Sequence, residues 1–132
     1  MQMKPTHFGV HLTFDGYGGS YDKLNDEKLV RQVLFDLPNV LGMNLLAPPQ
    51  VFFAAGKVKD PGGWSGFVVI QESHISLHTF PAKGFLSADV YTCQNELAQN
   101  TVIEYLSKVF EIKKTETNLI IRGTMYSQNE IH

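Results

Sequence analysis

Gln71-Glu72-Ser73-His74-Ile75-Ser76-Leu77-His78-Thr79-Phe80-Pro81 is the stretch on which the reading of this chain turns. Ile75, Leu77 and Thr79 alternate with polar residues, the period of a β-strand with one covered face. Trp64 to Ile70 ahead of it reads as a mostly apolar strand, and Phe85 to Tyr91 behind it as another. Three strand signals so closely spaced predict an antiparallel sheet.

Working outward, Phe8 to Phe14 alternates and is β-like, and Asp15 to Ser20 is a turn cluster. Val40 to Ala47 reads as a further strand, Ala54 to Gly63 as a loop, and Asn118 to Arg122 as a closing strand. Leu29, Val30, Val33, Leu34 and Leu37 recur at helical spacing between Asp26 and Leu37. Asn25 is the expected cap of that helix and Pro38 its expected stop. A second helix is expected from Glu96 to Phe110, with Val102, Ile103, Leu106, Val109 and Phe110 on one stripe. Strands set between two helices predict an α+β two-layer sandwich: a mainly antiparallel sheet with both helices on one face.

Bulk properties agree with a single domain spanning residues 1–132. Hydrophobic content of 43% and charged content of 18% over 132 residues describe a folded globular chain, not a disordered one. A formal charge of −2 supplies no basic field, so no nucleic acid partner is expected. Met1 to His7 lacks the apolar core of a leader, and no apolar run approaches the ~18 residues of a membrane span. The expectation is a cytoplasmic protein with no membrane partner. Cys93 is the only cysteine, so no intramolecular disulfide forms.

Three chemistries compete for the central stretch. A metal site would use His74, His78 and Cys93. Two histidines four apart on a strand lie ~13 Å from one another, too far to share an ion, and no metal is expected. Conventional nucleophilic catalysis by Ser73 or Cys93 would need an orienting acid and an oxyanion hole, and no Gly-x-Ser-x-Gly or cysteine-protease signature is present. The third chemistry is self-processing. A serine hydroxyl attacks the carbonyl before it and turns the peptide bond into an ester. Loss of the serine Cα proton then expels that ester and leaves a terminal pyruvoyl group. Such a ketone forms a Schiff base with a substrate amine and replaces pyridoxal phosphate as electron sink. A thiol of pKa ~8.5 suits the final proton donation.

Glu72-Ser73-His74, His78-Thr79-Phe80-Pro81 and Asp89-Val90-Tyr91-Thr92-Cys93 together resemble the small prokaryotic S-adenosylmethionine decarboxylase family. Gly9-Val10-His11-Leu12 and Ser65-Gly66 extend the likeness, which runs from about Gly9 to Arg122. The resemblance implies cleavage between Glu72 and Ser73, with Ser73 becoming the pyruvoyl group. It implies that His78 removes the Cα proton during processing, that Ser65 assists, and that Cys93 donates the proton in catalysis. It also implies a homodimer of cleaved protomers acting on a small-molecule substrate, with active sites near the subunit interface.

Two positions depart from the family pattern. Ala82 stands where a glutamate usually binds the nucleoside ribose, and Val58 to Gly63 lacks the aromatic that usually stacks on adenine. Phe80 and Trp64 are then the aromatic candidates for substrate contact, and Asp60 a candidate partner for a cationic side chain, with Asp15 a second. S-adenosylmethionine is the family's default substrate. A basic amino acid, ornithine or arginine, is the alternative, and an unprocessed homologue that only binds a small molecule is a further one.

Overall fold

Alternation along Gly9–Tyr17, Gly63–Ile70, Ser73–Phe80 and Phe85–Thr92 produces strands β1, β3, β4 and β5 of a computed structural model that describes residues 7–57 and 61–126. Strand β2 is Gln50–Ala54 and β6 is Lys114–Arg122. The helices are α1 (Tyr21–Leu24), α2 (Glu27–Val40) and α3 (Gln99–Phe110), with a single 3₁₀ turn at Pro81–Lys83. The six strands form one sheet in the order β2-β3-β4-β5-β1-β6, every neighbouring pair antiparallel.

Leu12 and Phe14 of β1, Val68 and Ile70 of β3, Ile75 and Leu77 of β4, and Leu86 and Val90 of β5 all face one side. They pack against Val30, Val33, Leu34 and Leu37 of α2 and Val102, Leu106 and Phe110 of α3. Each such side chain contributes ~1.5–3 kcal/mol by leaving water. Gly66 lets α2 settle onto the sheet, because a Cβ there would meet Leu34 Cδ1 at 2.7 Å. The α+β sandwich with both long helices on one face is thus the fold. No helix among the described residues is long and apolar enough to cross a membrane.

Several boundaries differ from expectation. Asp26, not Asn25, caps α2, its carboxylate accepting from Leu29 N–H at 3.1 Å, while Asn25 closes the short helix α1. Pro38 lies inside α2: so close to the end, its missing N–H costs one hydrogen bond, and the helix runs on to Val40. The strand expected over residues 40–47 is instead a turn with one bridge, Leu45 to Ile70. The strand in that region is β2, an edge strand whose Phe52 and Phe53 are both exposed and therefore carry no alternation. Helix α3 starts later than expected, and β6 starts earlier.

Candidate active site

Strands β3 and β4 are joined by the two residues Gln71 and Glu72, with Ile70 paired to Ser73. Neither turn residue has a positive φ, and the reversal is completed at Ser73, whose φ is 153°. Among the described residues only Ser73 and Glu111 are non-glycines with positive φ, and Glu111 ends a helix in the ordinary left-handed region. The one residue that shares the torsion of Ser73 is Gly63, at 154°. Ser73 therefore holds a glycine-like backbone that costs an L-residue ~1–3 kcal/mol.

The peptide before Ser73 is clamped. Cys93 N–H donates to the Glu72 carbonyl at 2.8 Å, Gln71 N–H donates to the Asn44 carbonyl at 2.8 Å, and the Glu72 carboxylate accepts from Asn44 N–H at 3.3 Å. Cys93 reaches Glu72 because Thr92 pairs with Ser73, which leaves Cys93 just past the strand end, exposed and free. Gly9 makes room for that segment. A Cβ on Gly9 would lie 2.0 Å from the Thr92 carbonyl oxygen and 2.8 Å from Cys93 Cα.

Ser65 and His78 are register partners across β3 and β4, and His78 Nδ1 lies 2.8 Å from Ser65 Oγ. They stand on the sheet face that carries no helix. Beside them a depression of about 390 Å³ is lined by Thr13, Asp15, Ser76, His78, Ser87 and Asp89. This pair is five residues along β4 from Ser73, roughly 16 Å at the rise of a strand. Proximity in sequence is not proximity in space here.

The other expected residues are scattered. Phe80 is on the open face, tilted against Phe85 at 5.5 Å. Trp64 faces the helix side, edge-on to Phe53 at 5.2 Å, and its indole N–H is buried with no hydrogen-bond partner among the described residues. Ala82 borders a cavity of about 260 Å³ with Tyr21, Asn25, Phe53 and Pro81. Phe53, 64% exposed, is an aromatic contributor that strand patterning missed. Asp60 lies outside the described residues.

One cluster was not anticipated. His11 of β1, His74 of β4 and Asp89 of β5 meet on the open face, with ligand-capable atoms within 4.8 Å of one another. His11 Nε2 is 2.5 Å from Asp89 Oδ2, His74 Nε2 is 3.8 Å from the same oxygen, and Ser76 Oγ bonds the other carboxylate oxygen. Arg122 reaches across from β6, its guanidinium 2.8 Å from His11 Nδ1 and 4.7 Å from the Tyr91 ring centre. Only strand pairing brings these residues together, so spacing along the chain gave no sign of them.

A protein-family model described as S-adenosylmethionine decarboxylase matches residues 10–123. The S-adenosylmethionine decarboxylase proenzyme of Brevibacillus brevis is 31% identical over 121 residues, covering 92% of this chain and 86% of the relative. That of Bacillus cytotoxicus is 34% identical over 116 residues, covering 88% and 85%. The crystal structure of an adenosylmethionine decarboxylase from Aquifex aeolicus superposes with a TM-score of 0.76 at 26% identity, over 89% of this chain and 92% of that one.

Proposed function

This chain belongs to the S-adenosylmethionine decarboxylase family, a family of pyruvoyl-dependent carboxy-lyases, and on that footing we propose that it cuts itself between Glu72 and Ser73 and decarboxylates S-adenosylmethionine. The observation that carries the reading is the strained Ser73 backbone with a donor already on the neighbouring carbonyl. In the proposed cleavage, Ser73 Oγ adds to the Glu72 carbonyl carbon. The C–N bond breaks, the hydroxyl proton passes to the freed amine, and an ester remains. Cys93 N–H sits where charge develops on the Glu72 oxygen, the arrangement of an oxyanion donor. The torsion φ of Ser73 is rotation about its N–Cα bond with the Glu72 carbonyl carbon as the first atom, so detaching that carbon from the nitrogen relieves the strain at once.

Removal of the Ser73 Cα proton then expels Glu72 as a carboxylate. The enamine left at residue 73 is hydrolysed to the ketone, with ammonia released. The residues fit this group: a serine at a strained junction, and a thiol beside it on Cys93. The pyruvoyl group supplies an electron-withdrawing ketone against which a substrate carboxylate is lost, and Cys93 is the proposed proton donor for the product.

His78, assisted by Ser65, is the proposed base, and the ~16 Å of strand between it and Ser73 supports a composite site. A two-fold axis lying between two open sheet faces, crossing β4 near Ile75 and Ser76, exchanges the two ends of the strand. His78 of one protomer then serves Ser73 of the other. Phe67, Val69 and Ile120, each at least 40% exposed on that face, support a covering second copy.

For the substrate, the exposed ring of Phe53 in a cavity that Tyr21, Asn25 and Ala82 also line supports a nucleoside, whose base can stack on an aromatic face. A basic amino acid is the second reading, carried by Asp15 in the depression beside His78.

Intact-mass measurement of the purified chain tests the cut. Fragments ending at Glu72 and beginning with a blocked residue 73 are expected, and a chain that stays whole refutes it. Co-expression of Ser73→Ala with His78→Ala tests the composite site: the His78→Ala chain is expected to be cut only in the mixed dimer. Carbon dioxide release from S-adenosylmethionine, ornithine and arginine decides the substrate.

A further inference from the structure

The His11–His74–Asp89 cluster has the composition of a metal site, but its hydrogen bonding argues for another role. A guanidinium only donates, so Arg122 requires His11 Nδ1 to be the acceptor. The ring proton is then on Nε2, where it points at Asp89 Oδ2. The lone pair that an ion would take on Nε2 is occupied. Asp89 is thereby fixed on both oxygens, by His11 on one and Ser76 on the other.

His74, the residue directly after the strained Ser73, is held in this frame. Its Nε2 lies 3.8 Å from Asp89 Oδ2, too far for a hydrogen bond, so the hold is through packing. Its ring lies against Tyr91 at 5.5 Å and edge-on at 6.1 Å to His11, which Asp89 fixes. Upstream of Ser73, Asn44 and Cys93 pin Glu72. A strained torsion persists only where its surroundings over-determine it. With the upstream side tied down, the downstream tie decides whether Ser73 can relax into an ordinary extended strand.

We infer that Asp89 is a positioning residue for self-cleavage, holding His74, with His11 and Ser76 as its own supports, so that Ser73 keeps its strained conformation. The inference rests on the self-cleavage reading and adds that Asp89 acts on the first step, ester formation, and not on decarboxylation.

The test follows cleavage of freshly translated precursor by denaturing electrophoresis, for the unsubstituted chain and for Asp89→Ala, Asp89→Asn and His74→Ala. Asp89→Ala and His74→Ala are expected to slow the first-order cleavage roughly 5- to 150-fold, the range that the strain spans. Asp89→Asn, which keeps one acceptor oxygen, is expected to fall between. Hydroxylamine, which cuts an ester but not a peptide, is expected to release no extra fragment from the slow variants. Turnover per pyruvoyl group in the His74→Ala material that does mature, a variant outside the depression beside His78, is expected within threefold of the unsubstituted enzyme. Cleavage at the normal rate, or an ester that accumulates and yields to hydroxylamine, overturns the inference. So does a loss of turnover that matches the loss of cleavage. If Asp89→Ala does not fold, His74→Ala decides alone, with its oligomeric state measured alongside because His74 stands on the face assigned to the second copy. Slow cleavage in an intact oligomer supports the inference, and slow cleavage with loss of the oligomer overturns it. An unsubstituted chain that never cleaves defeats the self-cleavage reading instead.

Discussion

Gly9→Ala is the sharpest test of the clamp on the Glu72 carbonyl. The added Cβ starts 2.0 Å from the Thr92 carbonyl oxygen and 2.8 Å from Cys93 Cα, both backbone atoms with no rotamer to swing away. The first contact has to open by about 1 Å or more to reach van der Waals distance. If β5 takes only half of that, the 2.8 Å bond from Cys93 N–H to Glu72 stretches to ~3.3 Å, and if it takes all, to ~3.8 Å, beyond hydrogen-bonding range. Loss of one preorganised oxyanion donor costs ~10²–10³-fold in rate. Gly9→Ala is therefore expected to slow precursor cleavage by about 10²-fold, alongside ~1–3 kcal/mol of overpacking. Time-resolved denaturing electrophoresis reads the first, and urea unfolding of an uncleavable Ser73→Ala background reads the second. A folded Gly9→Ala precursor that matures within threefold of the normal rate would refute the assignment of Cys93 N–H to that carbonyl.

The thiol of the same residue separates from its backbone. Cys93→Ala keeps the N–H, so it is expected to mature normally yet lose ~10²–10⁴-fold in turnover; normal turnover removes the thiol from the mechanism. His78→Ala is expected to stop after ester formation, so hydroxylamine should cut it between residues 72 and 73, and resistance to hydroxylamine would move His78 to an earlier step. At the far end of the open face, Tyr17 donates to Glu116, and this bond, more than burial, raises its phenol above the usual range. Glu116→Gln is expected to lower that pKa toward its ordinary value in a spectrophotometric titration, and an unmoved midpoint would discharge Glu116 as the cause.

The sheet and its two long helices were legible because their signals are local. Ile75, Leu77 and Thr79 announce a half-covered strand within a few residues, and the stripe from Leu29 to Leu37 announces α2 in the same way. Strand β2 was not legible: Phe52 and Phe53 are adjacent and both exposed, so edge position had erased the period. The chemistry split along the same line. Ser73, His78 and Cys93 stand out as residue types, but a strand turns five residues into roughly 16 Å, and no one-dimensional pattern shows that His78 and Ser73 of one chain lie that far apart. His11, Asp89 and Arg122 meet only after β1 inserts between β5 and β6, and a pairing of that range leaves no mark on spacing.

The order of strands in the sheet bears on what would become of the molecule after the proposed cut. Everything before the proposed cut contributes β1, β2 and β3; everything after it contributes β4, β5 and β6. Across the sheet these run first, first, second, second, first, second. Strand β1 of the leading piece is laced between β5 and β6 of the trailing piece, hydrogen-bonded on both edges. Severing the β3–β4 hairpin opens a seam without freeing either half, because the two pieces are woven together. The sheet is built to survive the proposed scission, after which a new terminus at residue 73 would stay anchored beside Thr92 in an otherwise unbroken sheet.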